Sequence, residues 1–289
     1  MKRISFTALL GLLMALLAAC GQQGTGSDTT GTQGSPAASA PVSSTAVEGS
    51  GAAGGALPDL GGRKVVIGTD ATYPPMESVD RNSNQIVGFD VDLMNEIGKL
   101  INIKPEFQNA AFDTIFTALQ SKQFDAVVSS ATITDERKKI VAFSEPYIEV
   151  GQVVVVRADD TKINGAADLG SGALVGVQTG TTGEEAAGTE AKVADNNLKR
   201  YPTIDLAFAE LANNTIDAVV ADNPTVANYI SQEQYKDKLK IVGEAFTTES
   251  YGIAVQQGDT ELLNAINAAL AQLKENGTID QLKQKYNIK

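Results

Sequence analysis

The chain has 289 residues, 23 of them basic and 35 acidic, giving a net charge of −12 at neutral pH. An acid excess of that size argues against nucleic-acid binding and against a polybasic membrane contact. There is no histidine and only one cysteine, which excludes Ser-His-Asp and Cys-His catalytic sites and any zinc site built from His or Cys.

At the N-terminus, Lys2 and Arg3 precede an uncharged, mostly apolar run over 4–19. That run is short for a membrane span and has the charged, apolar, small-residue order of a signal peptide. It ends in Leu17-Ala18-Ala19-Cys20. Small residues before a cysteine resemble the lipobox of bacterial lipoproteins, in which the thiol is diacylated and the preceding segment is removed. The resemblance implies a signal peptide over 1–19 and a lipid-anchored Cys20. An ordinary signal peptide with an incidental cysteine is the alternative, but an unpaired thiol in an exported chain calls for an explanation, and lipidation supplies one. Cleavage would remove two basic residues and take the net charge to −14.

Residues 21–62 are mostly Gly, Ser, Thr, Ala, Gln and Pro, a composition that cannot bury a core and reads as a flexible tether behind Cys20. As a random coil it would span on the order of 35 Å. The body over 63–289 alternates strand and helix patterns. Residues 64–69 (KVVIGT) read as a strand. Residues 90–101 read as a helix with Val91, Met94, Ile97 and Ile101 inward, and 114–119 as another. Further strands are expected at 124–128, 152–157, 174–178, 216–221 and 239–242. Such alternation implies parallel α/β sheets.

The body contains an echo. Residues 115–130 (IFTALQSKQFDAVVSS) and 207–222 (AFAELANNTIDAVVAD) align at an offset of 92 residues. A helix, a turn and a buried strand therefore recur, which predicts two similar lobes rather than a solenoid. Polar residues cluster just after the expected strands: Asp70; Ser129, Ser130 and Thr132; 179–183 (TGTTG); and Asp222. Ligands of open α/β sheets bind outside the carboxyl ends of the strands. No G-x-x-x-x-G-K-S/T segment is present, so no ATPase site of that kind is expected.

Gly68-Thr-Asp-Ala-Thr-Tyr-Pro-Pro75, Gly88-Phe-Asp-Val-Asp-Leu93 and Thr132-Ile-Thr-Asp-Glu-Arg137 resemble the polar amino-acid-binding proteins of bacterial ABC importers, the extracellular solute-binding proteins of family 3. Val175-Gly-Val-Gln-Thr-Gly-Thr-Thr-Gly-Glu-Glu185 and 217–223 extend the likeness, in order, across essentially all of 63–289. Within the family the sequence looks most like binders of basic amino acids. The resemblance implies a two-lobed α/β fold of the periplasmic-binding-protein type (type II). Lobe one would comprise 63–153 plus 251–289 and lobe two 154–250, with crossings near 151–157 and 250–254.

The same resemblance implies roles for particular residues. Arg137 would clamp a ligand α-carboxylate with its planar fork, unless it is a surface charge beside Asp135 and Glu136. Ser130 and Thr132 would supply hydroxyl and backbone donors to the same carboxylate, or merely cap the next helix, with Ser129 beside them in the ligand site. Thr181 and Thr182 would sit in a turn that aims N–H groups at an anion. Asp222 would accept the α-ammonium, or simply cap a helix. Tyr73 and Phe112 would flank the ligand side chain, with core packing the alternative for Phe112. Asp70 and Glu77 would face the distal end, favouring an arginine, lysine or histidine ligand. Gln178 stands where some glutamine binders have lysine.

A transport receptor is therefore expected rather than an enzyme. It would bind a free amino acid, preferably basic, and deliver it to a membrane ABC permease with a separate ATPase subunit. It would be lipid-anchored in the cell envelope and monomeric, with no metal, cofactor or nucleic acid. A binder of glutamine or another polar amino acid, a dehydratase on the same scaffold, and a sensory domain are the rivals. The chain's ending at Lys289 after an amphipathic helix ranks the sensory domain last.

Overall fold

The computed structural model describes residues 56–288. The expected signal peptide, Cys20 and most of the expected tether lie outside them. The first stretch comprises β1 (Arg63–Thr69), β2 (Thr72–Tyr73), β3 (Glu77–Val79), β4 (Ile86–Val87), α1 (Phe89–Ile101), β5 (Ile103–Asn109), α2 (Phe112–Gln120), β6 (Ala126–Val127), α3 (Asp135–Lys138), β7 (Val141–Phe143) and β8 (Ile148–Val150). The middle holds β9 (Gln152–Arg157), α4 (Ala166–Leu169), β10 (Val175–Gln178), α5 (Thr182–Thr189), β11 (Leu198–Tyr201), α6 (Ile204–Ala212), β12 (Ala218–Asp222), α7 (Asn223–Ser231) and β13 (Leu239–Val242). The end adds β14 (Glu249–Tyr251), β15 (Ala254–Gln256), α8 (Thr260–Glu275) and α9 (Thr278–Lys285).

Two five-stranded sheets result, ordered β5-β1-β6-β15-β7 and β11-β10-β12-β9-β13. Each has three parallel strands, then an antiparallel one, then a fifth antiparallel to the fourth. This is the two-lobed α/β architecture. The antiparallel ribbon of β8 and β14 links the sheets, pairing Glu249 with Val150 and Tyr251 with Ile148. The expected crossing at 151–157 differs: β9 belongs to the second sheet from its first residue, Gln152 pairing with Asp222.

Burial on both faces explains the unbroken valines of β9. Val153 and Val155 join one core with Ile204, Phe208 and Val219, while Val154 and Val156 join another with Val175, Val177 and Val220. In the first lobe α1 and α8 bury Phe89, Leu93, Met94, Ile97, Leu262, Ile266 and Leu270 under one face of the sheet. The opposite face packs on α2 through Ile115 and Leu119.

The sequence echo is structural. Helix α2 and α6 differ by 92 residues at both ends, and β6 begins 92 residues before β12. The aspartate opening each DAVV run has one job in both copies. Asp125 accepts from Val66 N at 2.7 Å, and Asp217 from Leu174 N at 2.8 Å. Each carboxylate thus anchors the edge of the neighbouring strand. Gly88, which opens α1, is irreplaceable for steric reasons. Its φ is 146°, and a Cβ there would lie 2.0 Å from Met76 O.

Candidate ligand-binding site

The strand ends of both lobes meet around a narrow cavity of about 300 Å³. All eleven residues singled out from sequence line it: Asp70, Tyr73, Glu77, Phe112, Ser129, Ser130, Thr132, Arg137, Thr181, Thr182 and Asp222; Gln178 is the twelfth. The echo accounts for part of this convergence, because Ser130 and Asp222 are equivalent positions at the ends of the two repeated strands.

Among the described residues, Arg137 is the only cation on the cavity wall. Thr134 caps its short helix by accepting from Arg137 N at 3.1 Å. The guanidinium spans the lobes, Nη1 donating to Thr132 O at 2.8 Å and Nη2 to Gly180 O at 3.1 Å. It lies over the Phe112 and Phe116 rings, 5.2 and 4.9 Å from their centroids. Two of its five donors are spent and its plane is fixed, which presents a preformed anion fork. Gly180 has φ 77°, and a Cβ there would press on the Asp113 backbone at 3.1 Å. Glycine therefore lets the two lobes approach at this point.

Asp222 ends β12 and is 5 % exposed. Tyr73 OH donates to its Oδ2 at 2.5 Å and Gln152 Nε2 to its Oδ1 at 3.0 Å. Burial, reinforced by the charge of Glu249, pushes its carboxyl up to about 7. No side chain caps α7, so the capping alternative for Asp222 falls away.

Asp70 and Glu77 form a second acidic centre. Asp70 accepts from Gln178 Nε2 at 2.6 Å and Thr72 Oγ1 at 2.9 Å, and burial raises its carboxyl. Ser129 Oγ accepts from Asp70 N at 2.9 Å. Ser130 Oγ donates to Glu77 at 3.2 Å. Behind Glu77 lies Asp90, fully buried in the first turn of α1, accepting from Ser130 N and Tyr147 OH at 2.8 Å each. Burial and the nearness of Asp90 drive Glu77 well above the usual carboxylate range, while burial lifts Asp90 to about 6. Ser130 adopts φ 47°, which turns its N–H toward Asp90.

The hydroxyl protons of Ser130 and Thr132, expected to serve a ligand carboxylate, are committed in this arrangement, as is that of Thr182. Ser130 gives its proton to Glu77, and Thr132 and Thr182 give theirs to Glu249 at 2.9 and 2.6 Å. Thr181 Oγ1 caps α5 through Glu184 N at 3.2 Å. Sequence reasoning missed Asp90, Gln152 and Glu249. A buried aspartate on the apolar face of an expected helix is the only sequence sign of the first. Nothing in the sequence marks Glu249, which lies between elements in the linear pattern.

A profile described as bacterial extracellular solute-binding proteins, family 3, matches residues 65–289. A probable histidine-binding protein of Neisseria gonorrhoeae is 37% identical over 228 residues, covering 79% of this chain and 84% of that one. An ancestral arginine-binding protein solved with arginine superposes with TM-score 0.71 at 42% identity, covering 77% of this chain and 97% of that one. A structure of an ancestral arginine-binding protein with glutamine gives 0.73 at 42% identity, with 78% and 98% covered. With two matching sheets closing on a polar cavity, the chain belongs to the bacterial extracellular solute-binding proteins of family 3.

Proposed function

We propose that this protein captures a free amino acid between its lobes, prefers a cationic side chain, and delivers it to a membrane ABC permease driven by a separate ATPase subunit. The charge balance of the cavity carries this reading. One guanidinium faces three carboxylates, Asp70, Glu77 and Asp222. An α-carboxylate on Arg137 and an α-ammonium beside Asp222 would leave Asp70 and Glu77 for a positive side chain. Phe112 and Tyr73 would flank its apolar stem. Several charge-assisted bonds at roughly 1.5–3 kcal/mol each, less the cost of closure, are compatible with a dissociation constant on the order of micromolar or tighter.

The related structures hold arginine in one case and glutamine in the other, so side-chain preference is the point to test. Calorimetric titration of refolded, ligand-free protein with arginine, lysine, histidine, glutamine and glutamate is the direct experiment. Tight binding of the cationic set, weakened by Asp70→Asn and abolished for every ligand by Arg137→Ala, is the expected result. Binding of glutamine alone would keep transport and overturn the preference. Heat from none of them would favour the dehydratase reading, for which buried acids such as Asp222 and Glu77 are suited to proton transfer. Conversion of prephenate or arogenate would then be the assay.

The family places the protein outside the cytoplasmic membrane. Among the described residues no helix is long and apolar enough to cross a membrane. We propose that Cys20 carries the lipid anchor after removal of 1–19, and that 20–62 tethers a monomeric body. Lobe one would be 63–151 plus 251–289 and lobe two 152–250, the first boundary following the pairing of Gln152 with Asp222. Partition into a detergent phase, lost in Cys20→Ala, is the expected sign of the anchor.

A further inference from the structure

Glu249 is absent from the cavity wall yet touches two residues that form it. It begins β14, one of the two strands linking the lobes. Its Oε2 accepts from Thr132 Oγ1 at 2.9 Å and from Thr182 Oγ1 at 2.6 Å, one residue from each lobe. Its Oε1 accepts from Thr247 Oγ1 at 2.8 Å, and Thr247 Oγ1 accepts in turn from Gln152 N at 2.9 Å. Thr132 and Thr182 line both the cavity and the groove outside it, so this cluster is the partition between them.

The chemistry of that partition is fixed by proton counting. A hydroxyl has one proton and two lone pairs, and an ionised carboxylate only accepts. With both threonine protons held by Glu249, the 3.2 Å approach of the two hydroxyls carries no proton between them. Both oxygens are then left with lone pairs only. Gln152 Nε2 ties the cluster to the ammonium end of the cavity, donating to Thr182 Oγ1 at 3.3 Å and to Asp222 Oδ1 at 3.0 Å.

Building on the amino-acid reading, we infer that Glu249 is a positioning residue that makes Thr132 and Thr182 acceptors and so completes, with Asp222, a cradle for the ligand α-ammonium. A glutamine at 249 would remove the constraint. Its amide can donate to a threonine oxygen, which frees a hydroxyl proton to point at the ammonium and turns an acceptor into a repelling donor. Glu249 therefore acts on one functional group of the ligand, and its loss should be selective for that group.

The test compares L-arginine with 5-guanidinopentanoate, which keeps the carboxylate and guanidinium but lacks the α-amino group. Affinities are measured by competition calorimetry on the refolded full-length protein. Glu249→Gln should weaken arginine about tenfold or more, the loss of a charge-assisted hydrogen bond, and change the analogue less than about twofold. In a Thr182→Val background the same substitution should cost arginine markedly less, because half of the relay is already gone. Should Glu249→Gln fail to fold, Thr182→Val alone must show the selective loss. Equal weakening of both ligands, or an unchanged affinity for arginine, would overturn the role of Glu249 while leaving the amino-acid reading intact. A wild-type protein that binds no amino acid would instead overturn that reading, and this role with it.

Discussion

Asp222→Asn should stabilise the empty protein while disabling it. The buried carboxyl rises from 3.8 to about 7 in the fold, which corresponds to at most about 4 kcal/mol. Relaxation of the site reduces this to about 1–3 kcal/mol. The sign follows from linkage. A folded pKa above the unfolded one favours folding fully below about pH 4, and that contribution is lost as pH rises through about 7. At pH 8 the wild-type protein therefore holds an ionised carboxylate that burial disfavours, and an asparagine removes the cost. The amide also fits the hydrogen bonding. Its oxygen can keep the Tyr73 hydroxyl, and its NH₂ can meet Gln152 once that amide flips, because Gln152 Oε1 is buried without a partner. Urea unfolding of ligand-free protein from pH 4 to 8 tests this. The variant should gain about 1–3 kcal/mol over wild type at pH 8 and show a flatter pH dependence between about 4 and 7, while amino-acid affinity falls about a hundredfold. Parallel pH profiles for the two proteins would refute the reasoning, since they would mean that Asp222 does not ionise at a cost in the fold.

Arg137→Lys should weaken every amino acid tested about tenfold to a hundredfold, because a single ammonium cannot reproduce the fork or lie flat over Phe112 and Phe116; calorimetry reads this, and an unchanged affinity would deny the clamp. Gly88→Ala should cost about 3 kcal/mol or more or prevent folding, read from the urea midpoint, as its Cβ would collide with Met76 O at a positive φ. Asp125→Ala and Asp217→Ala should each cost about 1–2 kcal/mol by leaving a strand N–H unpaired, and by similar amounts, since the two residues do the same job in the two repeats.

The lobes were legible because the echo is a packing constraint repeated. Ile115 and Leu119 of one helix and the matching Ala207 and Leu211 of the other must face a sheet, and DAVV must be buried on both sides. The cavity residues were legible because strand ends point at one place in such sheets and because the motif resemblance covered the chain in order. What stayed hidden has long-range causes. Glu249 meets Thr132 and Thr182 across separations of 117 and 67 residues, and Gln152 meets Asp222 across 70. No local period encodes such meetings. The crossing was misplaced by a few residues because QVVVVR reads equally as a connecting strand or a central one, and only the pairing of Gln152 with Asp222 decides between them. Asp90 is only the first residue of the helix expected over 90–101, and its burial against Tyr147 is a tertiary event.

The cavity is short of cations, and this shortage makes ligand entry a proton exchange. Among the described residues, Arg137 alone faces Asp70, Glu77 and Asp222, with Asp90 and Glu249 behind them. Burial raises Asp70 and Glu77, Glu77 well above the usual carboxylate range, lifts Asp90 to about 6 and lifts Asp222 to about 7, so near pH 6 Asp222 and part of Asp90 retain their protons before a ligand enters. Arginine would bring two cationic groups and one anionic one. Its ammonium would favour ionised Asp222, and its guanidinium would favour ionised Asp70 and Glu77; both depress the carboxyls and expel protons. Glutamine would supply only the first of these effects. Titrations at pH 6 in two buffers of different ionisation heat should therefore show proton release on arginine binding, and about one proton fewer for glutamine. Arginine affinity should rise with pH between 5 and 8 by up to about tenfold per unit for each proton released. Equal proton counts for the two ligands would place the side-chain cation away from Asp70 and Glu77, and would remove the physical basis for a cationic preference.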